Sequence, residues 1–132
     1  MAKKKVICDT DVMIDYLDVS KKRHASTKEV LDKEILLDNV VLSAITKMEL
    51  LLGSTNKADF NKINKKLNRF NIALINNDIT LEAFELLQTY RLSHGLALPD
   101  CLIAATAKIT ELALFTYNTK DYKFIADLKL FS

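Results

Sequence analysis

Three acidic residues stand where a chain that merely needs to fold has little use for them, and a fourth draws interest from its proximity to them. Asp9 closes the run Val6-Ile7-Cys8-Asp9-Thr10-Asp11, directly behind a short apolar strand, and in an open α/β sheet the carboxyl ends of strands are where ligands bind. A helix read from Val12 takes Thr10 or Asp11 as its cap, which leaves Asp9 one residue too early for that task. Glu49 lies four residues after Ile45 and three before Leu52, so helical spacing sets its carboxylate on an apolar stripe. A buried carboxylate has to be neutral, paired or bound to a metal, and a snorkelling lysine is the structural answer to the same demand. Asp100 follows Pro99 at a helix start, where an acid complements the helix dipole. It shares a stripe with Ile103, Ala104 and Ala107, whose small residues allow close packing on a sheet. Asp121 comes five residues after the segment Ala113–Thr116, a position that also suits a turn or cap.

Together, Asp9, Glu49, Asp100 and Asp121 can converge on one end of one sheet. Two carboxylates about 4 Å apart repel by roughly 4 kcal/mol at an effective dielectric near 20, so a cluster of three or four calls for a cation. No histidine adjoins them, and Cys8 and Cys101 form neither a spaced disulfide nor a metal pattern, which argues against zinc. Oxygen-only ligands favour Mg²⁺ or Mn²⁺. Such an ion activates water and stabilises charge during cleavage of a phosphodiester.

The elements that must position these acids follow from composition and periodicity. The chain has 132 residues, net charge +2, 49% apolar and 27% charged residues, two glycines and one proline. That excludes disorder and fibrous repeats, predicts one domain over residues 1–132, and leaves too few turn-formers for a many-stranded barrel. Strands are expected at Val6–Cys8, Val40–Leu42, Ile72–Ile75 and Ala113–Thr116, with Leu128–Phe131 as a last edge strand. Helices are expected over 12–17, 25–37, from Ser43 or Ala44 to Leu52, 56–70, 79–94 and from Pro99 to about Glu111. Lys21–His24 reads as a loop, and Gly53 and Gly95 as helix stops. The alternation predicts an α/β fold with a mainly parallel sheet. Stretches free of Asp, Glu, Lys and Arg reach eight residues, as in Asn39–Thr46, well short of a membrane span. Lys3, Lys4 and Lys5 precede too short an apolar segment for a signal peptide. Two apolar-set thiols suit a reducing cytoplasm.

Four motifs in this order resemble the PIN-domain ribonucleases, and particularly the VapC-like toxins of type II toxin–antitoxin pairs. They are Val6–Asp15, Ser43–Gly53, Leu98–Ala107 and Thr116–Tyr122. The resemblance implies a three-layer α/β/α sandwich with a sheet of about four to five strands. It implies Asp9, Glu49 and Asp100 as principal metal-site carboxylates, and Asp121 as a fourth acid serving a second metal or its water shell. Thr116 and Asn118 match polar positions that hydrogen-bond around the pocket. The implied reaction is Mg²⁺- or Mn²⁺-dependent endonucleolytic cleavage of RNA by a homodimer held in check by a cognate antitoxin protein. The pattern departs at Asp11, where Ser or Asn is common, and at Tyr117, where a basic residue is frequent.

Lys62, Lys65, Lys66 and Arg69 follow helical spacing opposite the stripe Phe60, Ile63, Leu67 and Phe70. That face could meet RNA phosphates or simply stay solvated. Tyr16, Tyr90, Tyr117 and Tyr122 could stack on bases or serve as packing residues. Two alternatives stay open. The strand followed by Asp9-Thr10-Asp11-Val12 also resembles the opening of haloacid-dehalogenase-like phosphatases, with Asp9 as nucleophile, although the chain has no Asp-Asp pair. A non-catalytic, receiver-like module holding one ion is the other, although Thr10 separates Asp9 from Asp11.

Overall fold

The structure is a computed structural model and describes residues 4–132, so Lys3 of the basic run lies outside the described residues. Strands β1 (Val6–Cys8), β2 (Val40–Ser43), β3 (Asn71–Ala73) and β4 (Ala113–Phe115) form one parallel sheet in the order β3-β2-β1-β4. Val6 pairs with Val40 on one side and Ala113 on the other, and Ser43 pairs with Ala73. The helices are α1 (Thr10–Leu17), α2 (His24–Glu29), α3 (Ala44–Leu52), α4 (Lys57–Leu67), α5 (Asn77–His94) and α6 (Leu98–Thr110).

Side chains alternate across a strand, and that period of two divides the core. Ile7, Val41 and Leu114 point to one face, where they meet Ile79, Ala83 and Leu86 of α5 and Ile103, Ala104 and Ala107 of α6. Val6, Cys8, Val40, Leu42 and Phe115 point to the other, against Val12 and Met13 of α1, Leu31, Leu50 of α3 and Leu67 of α4. The α/β/α layering is therefore built as the sequence implies. Cys8 and Cys101 are buried and unpaired, and Cys101 donates its thiol proton to the Ala83 carbonyl.

Several boundaries differ from the sequence reading. β3 begins at Asn71 and ends at Ala73. The expected edge strand reduces to one parallel bridge between Leu114 and Leu130. His24 already belongs to α2, with Arg23 as its cap residue. The expected helix over 25–37 runs as α-helix to Glu29 and then as π-helix from Val30 to Ile35. Its buried residues Thr27, Leu31 and Ile35 recur every four positions, and a widened turn keeps such a set on one side better than 3.6 residues per turn does. Leu36 then turns the chain with φ of 75°. α5 starts earlier than expected because Asn76 caps it through Ile79 N–H, and it stops at Gly95, whose φ of 70° suits a residue without Cβ. No helix among the described residues is long and apolar enough to cross a membrane.

Leu42 is fully buried in the middle of β2. Leu42→Ala is expected to cost about 2–5 kcal/mol. Equilibrium urea unfolding checks this, and a loss below 1 kcal/mol would contradict so tight a packing of this face.

Candidate active site

Because the strands run parallel, all their carboxyl ends lie at one edge, and the register sets what meets there. The Asp9 N–H donates to the Phe115 carbonyl at 2.9 Å. Asp9 and Thr116, the residues just past β1 and β4, are thereby neighbours. The Thr116 hydroxyl donates to Asp9 Oδ2 at 2.7 Å and itself accepts the Asn118 backbone N–H at 3.0 Å. Asn118 thus contributes through its backbone, while its side chain is exposed.

Asp9 is 5% exposed and is the cap residue of α1. Its carbonyl accepts the first helical bond, from Met13, and its Oδ1 accepts the Thr10 N–H at 2.7 Å. The helix therefore starts at Thr10, and the capping assigned to Thr10 or Asp11 falls to Asp9. Asp11 sits in the first turn with its carboxylate on the Val12 and Tyr117 N–H groups, at 2.7 and 3.1 Å. It ties α1 to the segment after β4.

α3 leaves β2 through the Ser43 cap, whose hydroxyl accepts the Ile45 N–H. Its buried side is Ala44, Thr46 and Leu50, and Leu52 is 83% exposed. The apolar stripe expected to carry Glu49 is therefore displaced, and Glu49 stands half-buried beside Thr46, three residues away on the same face. The Thr10 hydroxyl donates to Glu49 Oε1 at 2.7 Å and lies 3.0 Å from the Thr46 hydroxyl. Thr10 links the Asp9 loop to α3, a role the sequence reading did not give it.

Asp100 occupies the first turn of α6, whose cap residue Ala97 offers no side-chain acceptor. The Tyr122 hydroxyl donates to Asp100 Oδ1 at 3.1 Å. Tyr122 is 1% exposed, so stacking on a nucleic-acid base is ruled out for it. Asp121 ends the short 3-10 turn Thr119–Asp121 just before Tyr122 and is half-buried.

The electrostatics bind these pieces into one site. Burial pushes the Asp9 carboxyl above its ordinary range against the hydrogen bonds from Thr116 and Thr10, and Glu49 adds a like charge. Burial also raises Asp100, with Asp9, Asp121 and Glu49 acting in the same direction. Asp11 is pushed up to about 6 by burial and then by Asp9, with Arg23 opposing. All four predicted acids thus share one field, and none of them forms an ion pair with a lysine or arginine among the described residues. Among those residues no three His, Cys, Asp or Glu side chains stand in a ready-made ligand cage. As a donor set the four acids fit a hard divalent cation, being all oxygen, partly desolvated and without a basic partner.

An open cleft of about 600 Å³ begins at Glu49 and runs between α1, α3 and α4. Ile14, Leu50 and Ile63 line it together with Lys21, Lys62 and Lys66. Of the expected basic face, Lys62, Lys65 and Lys66 are exposed on α4. Arg69 lies beyond the helix end and pairs with Asp38 at 3.4 Å, since α4 stops at Leu67 and not at Phe70. Phe60, expected on the buried stripe, is 39% exposed. The sequence reading also passed over Arg23, whose Nε bonds the buried Asp15 at 2.7 Å and whose guanidinium lies 4.0 Å over the Tyr117 ring. A residue in an apparent loop gives no signal of such a partner.

Residues 6–127 match the family model described as PIN domain. The chain belongs to the PIN domain family. This PIN domain is similar in structure to a chain of a toxin–antitoxin complex from Klebsiella pneumoniae, with 33% identity, TM-score 0.75, and 94% and 95% of the two chains covered. It is similar also to a chain of FitAcB from Neisseria gonorrhoeae, at 28% identity, TM-score 0.73 and 96% of each chain. VapBC-1 from nontypeable Haemophilus influenzae gives 27%, 0.73 and 96% of each chain. The search of curated proteins returned no match. PIN nucleases generally use divalent metal ions.

The raised Asp11 has a consequence for stability. The folded chain binds this proton more tightly than the unfolded chain, whose carboxyl titrates near 3.8. Its contribution is therefore full below about pH 4 and is lost as pH rises through about 6. In the presence of chelator, the melting temperature of the wild type is expected to fall relative to Asp11→Asn between those values. Calorimetric curves that run parallel for the two proteins would refute the assignment.

Proposed function

We propose that this PIN domain is an endoribonuclease dependent on Mg²⁺ or Mn²⁺, and the toxin of a toxin–antitoxin pair. The observation that carries the reading is the shared field of Asp9, Glu49, Asp100 and Asp121 at one sheet edge, with no ion-pair partner among the described residues. These four carboxylates are the proposed holders of the cation. When bound, it supplies Lewis-acid stabilisation and an activated water for hydrolysis of the phosphodiester.

The protein's own groups do the rest. Thr116 and Thr10 hold Asp9 and Glu49 by their hydroxyl protons, and the Asn118 N–H orients Thr116. Asp11 braces the loop after β4 and stands outside the ligand set. Lys62 and Lys66 line the cleft that opens on Glu49, and with Lys65 and Arg69 they are the proposed contacts to RNA phosphates. Toxin–antitoxin complexes among the similar structures support an antitoxin as partner. The cleft's apolar floor beside Glu49 is where its segment would lie. On α5, Leu81 and Phe84 are exposed three residues apart, an apolar edge suited to a second copy in a homodimer. The 132 residues act as one domain, in the cytoplasm.

The test is cleavage of RNA by the purified protein with Mg²⁺ or Mn²⁺. Cleavage is expected to stop with chelator, and to fall in Asp9→Asn by at least the ~100-fold that loss of an outer-shell partner alone can reach. Full activity in the variant would overturn the reading, and turnover of a phosphomonoester in place of RNA would overturn it in favour of a phosphatase. In the same assay, replacing Lys62 and Lys66 by Gln is expected to weaken RNA binding across sequences and to lower the logarithmic salt slope by about 1–2. An unchanged slope removes the cleft from the RNA path.

A further inference from the structure

Tyr122 lies in the core on the α5–α6 side of the sheet, among Ile7, Leu114, Ala104 and Ile125. A phenylalanine would fill that space as well, since the ring does the packing. The hydroxyl is an additional polar group in a dry place, and such groups are kept where they have a partner. Here the partner is Asp100 Oδ1 at 3.1 Å. The hydroxyl also opposes the burial that raises the Asp9 carboxyl. The phenolic proton is thus committed to the carboxylate at the start of α6, within the field of the one at the end of β1. The ring is held from its own backbone: the Tyr122 N–H bonds the Thr119 carbonyl, and its carbonyl accepts the Ile125 N–H. The donor is thus fixed on a packed ring and does not swing on a flexible stem.

We propose that Tyr122 is a positioning residue for the divalent cation, its buried hydroxyl fixing the Asp100 carboxylate beside Asp9 before the ion arrives. The inference rests on the proposed function of the same site. A carboxylate offers about four lone-pair positions, and one hydrogen bond from Tyr122 leaves Asp100 most of its donor capacity. Orientation is gained without blocking the ligand. Outer-shell donors of this kind typically change metal affinity by about 10–100-fold.

The test measures Mn²⁺ binding to the purified full chain by isothermal titration calorimetry, comparing wild type with Tyr122→Phe and Tyr90→Phe. Tyr90 is a fit control because its hydroxyl accepts the Ala126 N–H, away from the acids. Tyr122→Phe is expected to bind at least tenfold more weakly, and Tyr90→Phe as wild type does. Equal affinity in all three overturns the role of Tyr122 and leaves the nuclease reading standing. No binding by any of them, wild type included, overturns both. Should Tyr122→Phe fail to fold, the wild type still decides: its buried phenolic proton is followed by NMR during a Mg²⁺ titration. A shift that tracks saturation supports the proposal, and an unmoved resonance overturns it.

Discussion

A carboxylate buried at the end of the middle of the sheet is the constraint on which this structure turns. Asp9 follows β1, which lies between β2 and β4, and its side chain is buried there. Desolvating that charge is costly unless hydrogen bonds replace the lost water. The chain supplies the Thr10 N–H and the Thr116 hydroxyl, and the start of α1 adds a favourable dipole. Each donor in turn demands its own placement. Thr116 requires β4 to pair with β1 in the observed register, and Thr10 draws α3 in through Glu49 and Thr46. Cost and remedy together explain why so many polar side chains gather at one edge of an otherwise apolar sheet.

The cations nearby answer to a different logic. Arg23 is spent on the buried Asp15 and stacked over Tyr117, a brace for the α1–α2 connection and not a partner for Asp9. Its field reaches Asp11 and lowers that carboxyl against burial. Lys62 and Lys66 line the cleft without forming an ion pair to Glu49. Positive charge is thus arranged around the acids at a remove and does not neutralise them.

Much of this was legible in the sequence, and the division follows range. The four strand positions could be read because short β-branched and apolar runs between helices have few other uses, and Asp9 stood out because it directly follows one of them. Gly95 as a stop follows from local conformation alone. What escaped depends on partners far along the chain. Apolar periodicity starts the helix at Val12, the first apolar residue, whereas Thr10 and Asp11 already have helical backbone and leave the cap to Asp9. The π-helical stretch escaped because a four-residue spacing of buried groups resembles an ordinary helix until its length is known. Glu49 was placed on a stripe with Leu52, yet a helix of nine residues pressed between β2 and α4 turns Leu52 to solvent. Tyr122 reads as one aromatic among several, since nothing local tells a buried hydroxyl from an exposed one.

The same geometry bears on the choice between metal-assisted hydrolysis and attack by Asp9 itself. A nucleophilic carboxylate must turn an oxygen toward phosphorus and carry away its negative charge. Both Asp9 oxygens already hold hydrogen bonds that fix the carboxylate plane, one of them to its own helix. Freeing either would cost a cap or the link between β1 and β4. Glu49 and Asp100 further raise the repulsion felt by an incoming phosphate. The hydrogen bonds that stabilise this edge of the sheet are therefore the same ones that hold Asp9 in place.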